Sequence, residues 1–415
     1  MDIIVIGAGV TGVTTAWELA DQGHAVTVLD AARGPGQGAS FANGAQISPS
    51  ESVPWASPHN LRLALEWMWQ KDSPFRLRLT ADPRQWVWLA RFLANCRTSA
   101  WERNAARMVE LALFSQRRLG EIRERTGLAY DREDRGILRI FRTQEQLHES
   151  LSAITAMQRF GVAMSPVEPD GIGELEPALL PAIRRKEIAG GILAPGDETG
   201  DAAKFTAALA DEASRMGVRF LWNTECRRIV VHGDHIQGID TTAEYIPAEA
   251  LVICGGLGSP EITRRLGFDL PIYPLKGYSV TRKLAGSAEG PHISVTDEHR
   301  RMVVSRLGDR IRAAGKADLI GYSRNLEQHR ANSLLADLDR IYPELEYGGE
   351  PEFWTELRPM TPSGIPLIGP SGVRGIWLNT GHGSLGWTMA CGSAAMIAEL
   401  MRGRAPKVAA TTGAA

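Results

Sequence analysis

Hydrophobic positions fall into three patterns along the chain, and each predicts a different element. Short continuous apolar runs, "IIVI" at Ile3–Ile6 and "ALVIC" at Ala250–Cys254, predict strands buried on both faces, as in a parallel sheet. The 3.6-residue period predicts helices at 10–21, 101–126, 144–159, 202–216 and 325–341. Strict alternation in "PIYPLKGYSVTRKL", "MVVSRLGDRIRAAGK" and "ADLIGYS" predicts an antiparallel sheet between about 271 and 323, with a turn at Gly308-Asp309. Asp201 is placed to cap the 202–216 helix and Gly217 to stop it. "VRFLWNTECRRIVVHGDHIQGIDT" predicts a strand pair joined through Gly233-Asp234. The segment 61–96 reads as two helices broken at Pro74 and Pro83.

At each end of the chain, an apolar strand runs through a glycine-rich turn into a helix. The first is "MDIIVIGAGVTGVTTAWELA", with Gly7, Gly9 and Gly12 in GxGxxG spacing and Val10 and Thr11 between them. Those glycines permit a tight turn, close approach to a pyrophosphate and close helix–strand packing, while the helix N-terminus offers free N–H groups. Asp30 ends the second strand, where an acidic side chain can hold ribose hydroxyls, with Ala31 and Arg33 beside it. The strand–turn–helix–strand–acid series predicts dinucleotide binding. After Asp30 come small residues, "AARGPGQGASFANGAQISPS", instead of a further βαβ unit. They read either as a surface loop or as backbone threading past an elongated ligand through Ser40, Asn43, Gly44 and Gln46, which suits FAD better than NAD. A second glycine pair after "ALVIC" brings Cys254 and Gly255 to the same unit, and the Cys226 backbone is placed at the adenine end. The closing "NTGHGSLGW" supplies another helix start, read as the far end of the same cofactor site. It contributes Gly381, His382 and Gly383, then Ser384, Leu385, Gly386, Trp387 and Thr388.

The predicted fold is therefore α/β: a Rossmann-like FAD-binding domain with a parallel sheet, assembled from 1–50, 190–265 and 355–406. The substrate domain, α+β with a mixed or antiparallel sheet, takes 51–189 and 266–354, with a helical insertion at 60–126. Residues 407–415 are expected to form a flexible tail.

Composition narrows the function classes. A net charge of −2 over 415 residues gives no global case for nucleic-acid binding. Four widely spaced cysteines suggest a reducing compartment and no metal site. No apolar run reaches the ~18 residues of a membrane span, and no signal peptide is read at the start. The expectation is a cytoplasmic protein, free or peripheral on the inner membrane. One local bias bears on that choice. Six of eleven tryptophans (Trp55, Trp67, Trp69, Trp86, Trp88, Trp101) fall between 55 and 101, and 61–107 carries nine basic against four acidic residues. Two readings fit: tryptophans packing a helical insertion, or a membrane-interface surface.

"GAGVTGVTTAWELADQGHAVTVLD", "ASFANGAQISPS", "GDETGD", "YPLKGYS", "LRPMTPSGIPLIG" and "LNTGHGSLGWTMACGS" together resemble the bacterial FAD-dependent D-amino acid dehydrogenases, within the wider D-amino acid oxidase and glycine oxidase group. The resemblance spans nearly the whole chain, but a short Ala/Thr tail stands where a longer closing segment is expected. It implies oxidative deamination of a D-amino acid to a 2-oxo acid and ammonia, by hydride transfer from Cα to flavin N5. Electrons would then pass to a quinone-type acceptor of the respiratory chain. Glycine, sarcosine and D-proline-type imino acids are alternative substrates, and a non-catalytic dinucleotide-binding regulator is the alternative from another class. The resemblance places a carboxylate-binding arginine at Arg358, whose planar fork suits that anion. Tyr278 is expected to reach the substrate carboxylate, or else to be a rim tyrosine. Lys276 would sit near the flavin or form a structural pair, and His382 would face the pocket or be structural.

Overall fold

The computed structural model describes residues 1–67, 73–233, 235–286, 290–409 and 411. It contains two main sheets, and the apolar patterning explains their difference. In the six-stranded sheet the order is Leu367–Pro370, Ile376–Thr380, Ala250–Ile253, Asp2–Ile6, Ala25–Leu29, Arg219–Leu221. Its neighbours are parallel except for the antiparallel pair at the 367–370 edge. Ile3, Ile4 and Val5 are buried, as a strand covered on both faces requires. One face packs residues of the helices Val10–Asp21, Ala202–Arg215 and Gly386–Met401 into a shared core with Met108, Leu111 and Leu119 of the helix Thr98–Thr126.

Parallel pairing sets the positions of the two glycine turns. Strands 2–6 and 376–380 flank strand 250–253 and run in the same direction. The turns that follow Ile6 and Thr380 therefore leave the same edge of the sheet, one strand apart. Residues more than 370 positions apart in sequence become neighbours by topology.

The second sheet has nine strands and is mostly antiparallel, beginning Tyr347–Met360, Tyr273–Leu284, Arg310–Leu319, Met302–Leu307, Ser294–Asp297. Ile137–Phe141 joins it by parallel pairing, followed by Gly190–Ala194 and Ser165–Val167. The chain is thus a mixed α/β protein.

Several boundaries differ from the sequence expectation. Gly190–Ala194, assigned to the dinucleotide unit, pairs instead with Ile137–Phe141 in the mixed sheet, since a five-residue apolar run carries no mark of which sheet it joins. Between the helices Pro58–Trp67 and Pro83–Asn95, a short strand Phe75–Leu77 pairs in parallel with Arg310–Leu319. Arg219–Leu221 leaves the expected hairpin and extends the parallel sheet beside Ala25–Leu29. The turn residue 234 and Trp69 lie outside the described residues. Within the expected free tail, Val408 is buried and the Thr411 N–H donates to the Ile368 carbonyl at 3.2 Å, pairing it with the outer strand of the parallel sheet.

The tryptophans divide. Trp88 is buried against Phe92 and Tyr273, and its indole N–H donates to the Met360 carbonyl at 2.9 Å. The Trp101 indole donates to Pro54 O, whereas Trp86 is 50% exposed.

Candidate functional site

A cavity of about 870 Å³ is walled by both sheets. It is near the upper end of the ~300–1,000 Å³ range of ligand pockets. Both glycine turns line it: Gly7, Gly9, Val10 and Thr11 from the first, and residues 381–388 from the second. Between them the loop after Asp30 contributes Ala31, Ser40, Asn43, Gly44 and Gln46, and the strand before Gly255 contributes Cys254. The loop is fixed by named contacts. The Gln46 amide donates to Ser294 Oγ (3.0 Å) and Thr296 Oγ1 (3.1 Å), and Ser305 Oγ donates to the Gly44 carbonyl at 3.0 Å.

The first turn has the close packing that its glycines predict. A Cβ on Gly12 would lie 1.8 Å from the Gly7 carbonyl oxygen, and one on Gly7, which has φ of +103°, would lie 2.7 Å from Cys254 O. Gly12 itself stands behind the cavity wall as a packing residue. Asp30 accepts from the Ala8 N–H (2.6 Å) and the Ala32 N–H (2.8 Å), which ties the end of the second strand to the glycine turn. Ser40 Oγ accepts the Val10 N–H at 3.1 Å and so sits at the N-terminus of the first helix. Burial pushes the Cys254 thiol up to about 12, so it is an inert wall group.

Besides Gly12, three expected residues are absent from the lining. Arg33 is exposed on the outer side of its loop. Cys226 lies half-buried at the start of the strand Cys226–His232, where its carbonyl accepts from Arg265 at 3.4 Å. Lys276 is fully buried behind the sheet, where its ammonium donates to the Asn325 carbonyl. Sequence alternation aligned Lys276 with Tyr278. The structure keeps that alignment: the Lys276 ammonium lies 5.4 Å from the centre of the Tyr278 ring, and the side chain ends at Asn325 without reaching the cavity.

Arg358, Tyr278 and His382 all line the cavity, in different ways. Arg358 lies on the strand Tyr347–Met360, paired opposite Leu275. Its guanidinium lies over Gly277, where a Cβ would come within 2.4 Å of Nη2. Any other residue at 277 would displace it. Among the described residues Arg358 makes no ion pair or side-chain hydrogen bond. Burial pulls its guanidinium down to about 10, with Asp318 acting in the other direction, and it stays cationic at neutral pH. Its planar set of donors is the kind that suits a carboxylate.

Tyr278 has a partner already. Its hydroxyl donates to Asp318 Oδ2 at 2.9 Å instead of standing free for a substrate carboxylate. Asp318, fully buried, also accepts from Arg76 (2.6 Å) and Arg330 (2.6 Å). Burial, together with Asp318, raises the Tyr278 phenol well above its ordinary range. His382 likewise turns inward, with Nε2 3.0 Å from Ser393 Oγ on the last helix. Burial lowers its imidazole to about 3, so it is neutral at physiological pH.

Two cavity groups were not read from the sequence. Trp354 and Glu356 share the face of Arg358 by strict alternation along a regular stretch of strand, a signal present in "FWTELRP". Glu51, Glu298 and Arg301 come from separate elements and meet only through folding. Arg139 bridges Glu51 (2.8 Å) and Glu298 (2.6 Å), and Arg301 pairs with Glu298 at 2.9 Å.

The chain is similar to named proteins over nearly all of its length. It is 45% identical to a D-amino acid dehydrogenase of Paramagnetospirillum magneticum, across 97% of this chain and 96% of that one. It is also 45% identical to a D-amino acid dehydrogenase of Dechloromonas aromatica, across 98% of each. Among solved structures, glycine oxidase from Bacillus cereus matches with a TM-score of 0.74 at 22% identity, covering 97% of both chains. L-Proline dehydrogenase from P. horikoshii matches with a TM-score of 0.76 at 20% identity, covering 98% of this chain and 94% of that one. These two show the fold. The model of the FAD dependent oxidoreductase family matches residues 2–400. Two glycine turns, in which a Cβ at Gly7, Gly12, Gly381 or Gly383 would collide, and a cavity joining them are what a long dinucleotide needs, and the chain belongs to the FAD-dependent oxidoreductases.

Proposed function

We propose that the protein oxidises a D-amino acid to its 2-oxo acid and ammonia and passes the electrons to a quinone-type acceptor. Arg358 carries the reading: a cavity arginine with no ion pair among the described residues, seated over Gly277. The D configuration follows from the names of the relatives.

The residues of the first turn would hold the cofactor pyrophosphate at the first helix N-terminus, with Asp30 toward the ribose. The backbone at 381–388 would meet the isoalloxazine end, where N–H groups stabilise developing negative charge. When bound, FAD supplies the acceptor for the hydride on the substrate Cα. Arg358 grips the carboxylate through two parallel N–H···O bonds and thereby fixes the Cα–H direction. Gly277 leaves it room, while Tyr278 and Asp318 brace the floor beneath. Loss of hydride and the amine proton gives the imino acid, which water hydrolyses to 2-oxo acid and ammonia. Neither Tyr278 nor His382 is needed as a base: the Tyr278 hydroxyl is committed to Asp318, and burial leaves the His382 imidazole too weakly basic to hold a proton at neutral pH.

The helix Pro83–Asn95 supports the acceptor assignment. Phe92 lines the cavity, while Trp86, Val87 and Leu93 of the same helix are exposed. With exposed Arg91 and Arg97 nearby, this surface suits a membrane interface from which a quinone reaches the site.

An anaerobic screen of D- and L-amino acids, glycine and sarcosine should bleach the flavin with D-amino acids. Arg358→Ala should keep its flavin and lose about a hundredfold or more in kcat/KM, as expected for truncating a buried charge partner. A near-normal kcat/KM in that variant removes the carboxylate assignment. Bleaching confined to glycine or sarcosine removes the substrate class.

A further inference from the structure

We infer that Glu356 is a specificity-determining residue that recognises a cationic side chain on the substrate, and that Arg324 substitutes for that cation when the substrate lacks one. The inference rests on the reading of Arg358 as the carboxylate site.

Strand Tyr347–Met360 pairs with strand Tyr273–Leu284 without a shift at this level: Arg358 opposite Leu275, Leu357 opposite Lys276, Glu356 opposite Gly277. Trp354, Glu356 and Arg358 therefore project from one face, and all three line the cavity. Two residues along a strand span about 6.6 Å. The α-ammonium of an amino acid lies only about 3 Å from its own carboxylate, because two bonds separate their carbons and nitrogen. With the carboxylate on Arg358, the strand spacing puts Glu356 within reach of an ammonium or guanidinium at the end of a side chain. Trp354, next along the face, offers a ring to the aliphatic stem or the cation.

Three glutamates line the cavity, and their partners distinguish them. Glu51 and Glu298 share Arg139, which is mostly buried, so neither is free to exchange. Glu356 accepts the Leu357 N–H at 2.8 Å, and its one ion pair among the described residues is with Arg324, at 3.3 Å. Arg324 comes from the loop between the strand Arg310–Leu319 and the helix Gln328–Ile341, and its side chain is 65% exposed. An ion pair with one partner this exposed is weak and easily exchanged. A substrate cation can therefore take the place of Arg324, which returns to water at little cost. When the side chain is neutral, Arg324 stays and Glu356 is never left as an unpaired charge. The arrangement admits neutral substrates and favours basic ones.

The test compares kcat/KM for D-lysine and for D-norleucine, which has the same carbon chain without the ammonium. The wild-type holoenzyme should oxidise both, and Glu356→Gln should lower the D-lysine to D-norleucine ratio by about tenfold or more while leaving D-norleucine nearly unchanged. Arg324→Ala removes the competing cation and should raise the ratio. Glu356→Asp keeps the charge and should retain more of the ratio than the Gln variant, so a folding defect in the latter, read from flavin content and Tm, does not hide the result. Refusal of D-lysine by the wild type overturns the inference, as does an unchanged ratio in Glu356→Gln. An equal loss on both substrates would also overturn it, by making Glu356 an acceptor for the α-ammonium or a support for Arg358. A ratio that fails to rise in Arg324→Ala overturns the exchange of cations. Failure of the underlying reading is separate: Arg358→Ala would then leave both substrates unaffected.

Discussion

At the scale of single residues, the sequence shows which groups carry chemistry but not what they face. Arg358 was legible from its motif, and its side chain does line the cavity, with no ion pair among the described residues. Tyr278 and His382 were equally legible, yet their polar atoms are committed to Asp318 and Ser393. A partner about 40 positions away, such as Asp318, leaves no local trace in the sequence. His382 gives a pH prediction with a definite sign. Its imidazole is depressed to about 3 when folded, against an ordinary 6.5, so the unfolded chain binds the extra proton as pH falls below 6.5. The stability tied to neutral His382 is complete above 6.5 and declines on acidification toward 3. At pH 5 the loss is about 2 kcal/mol. Denaturation curves should therefore show less acid sensitivity between pH 7 and 5 in His382→Gln than in the wild type. Parallel pH dependences would refute this.

At the scale of elements, period and capping predicted existence and type well, because both are local. Asp201 does cap the helix Ala202–Arg215, accepting from the Ala203 and Lys204 N–H groups. The errors occurred where a short run was claimed by a distant strand, as with Phe75–Leu77 and Gly190–Ala194. Alternation held at Lys276, which shares a side with Tyr278, but it cannot say whether that side opens on the cavity. The helix Pro83–Asn95 carries both readings of the tryptophan-rich segment, with Trp88 turned in and Trp86 turned out. If its outer face meets a membrane, the combined variant Trp86→Gln, Val87→Ser, Leu93→Gln should co-sediment several-fold less with anionic vesicles. Turnover with a soluble dye acceptor should be unchanged. Equal co-sedimentation would leave the face without that role.

At the scale of the whole molecule, Asp318 joins pieces that are remote in sequence. It binds Arg76 of the inserted segment, Arg330 of the helix Gln328–Ile341 and Tyr278 of the cavity floor. Arg76 also pairs with Glu327 at 2.7 Å, and Arg330 donates to the Ser73 carbonyl at 2.6 Å, so the insertion is tied to the mixed sheet from both sides. Asp318→Asn removes the anion between two buried or half-buried arginines and should cost about 3–5 kcal/mol, the usual effect of breaking a buried pair. Urea denaturation measures it, and a loss under about 1 kcal/mol would mean that the insertion is held by its apolar contacts instead.

The sequence by itself determined the strand–turn–helix units at both ends, the helix periods and the family, because glycine spacing, capping and apolar period act over a few residues. It also placed Arg358, through a motif that is contiguous in the chain. Only the tertiary structure decided that the two glycine turns leave one sheet edge a strand apart, that Gly277 makes room for Arg358, and that Asp318 takes the Tyr278 hydroxyl. It likewise gave Glu356, which alternation already aligns with Arg358, an exposed arginine as its partner. These depend on strand order, register and burial, which are set by contacts between segments far apart in the chain and so leave no local pattern to read.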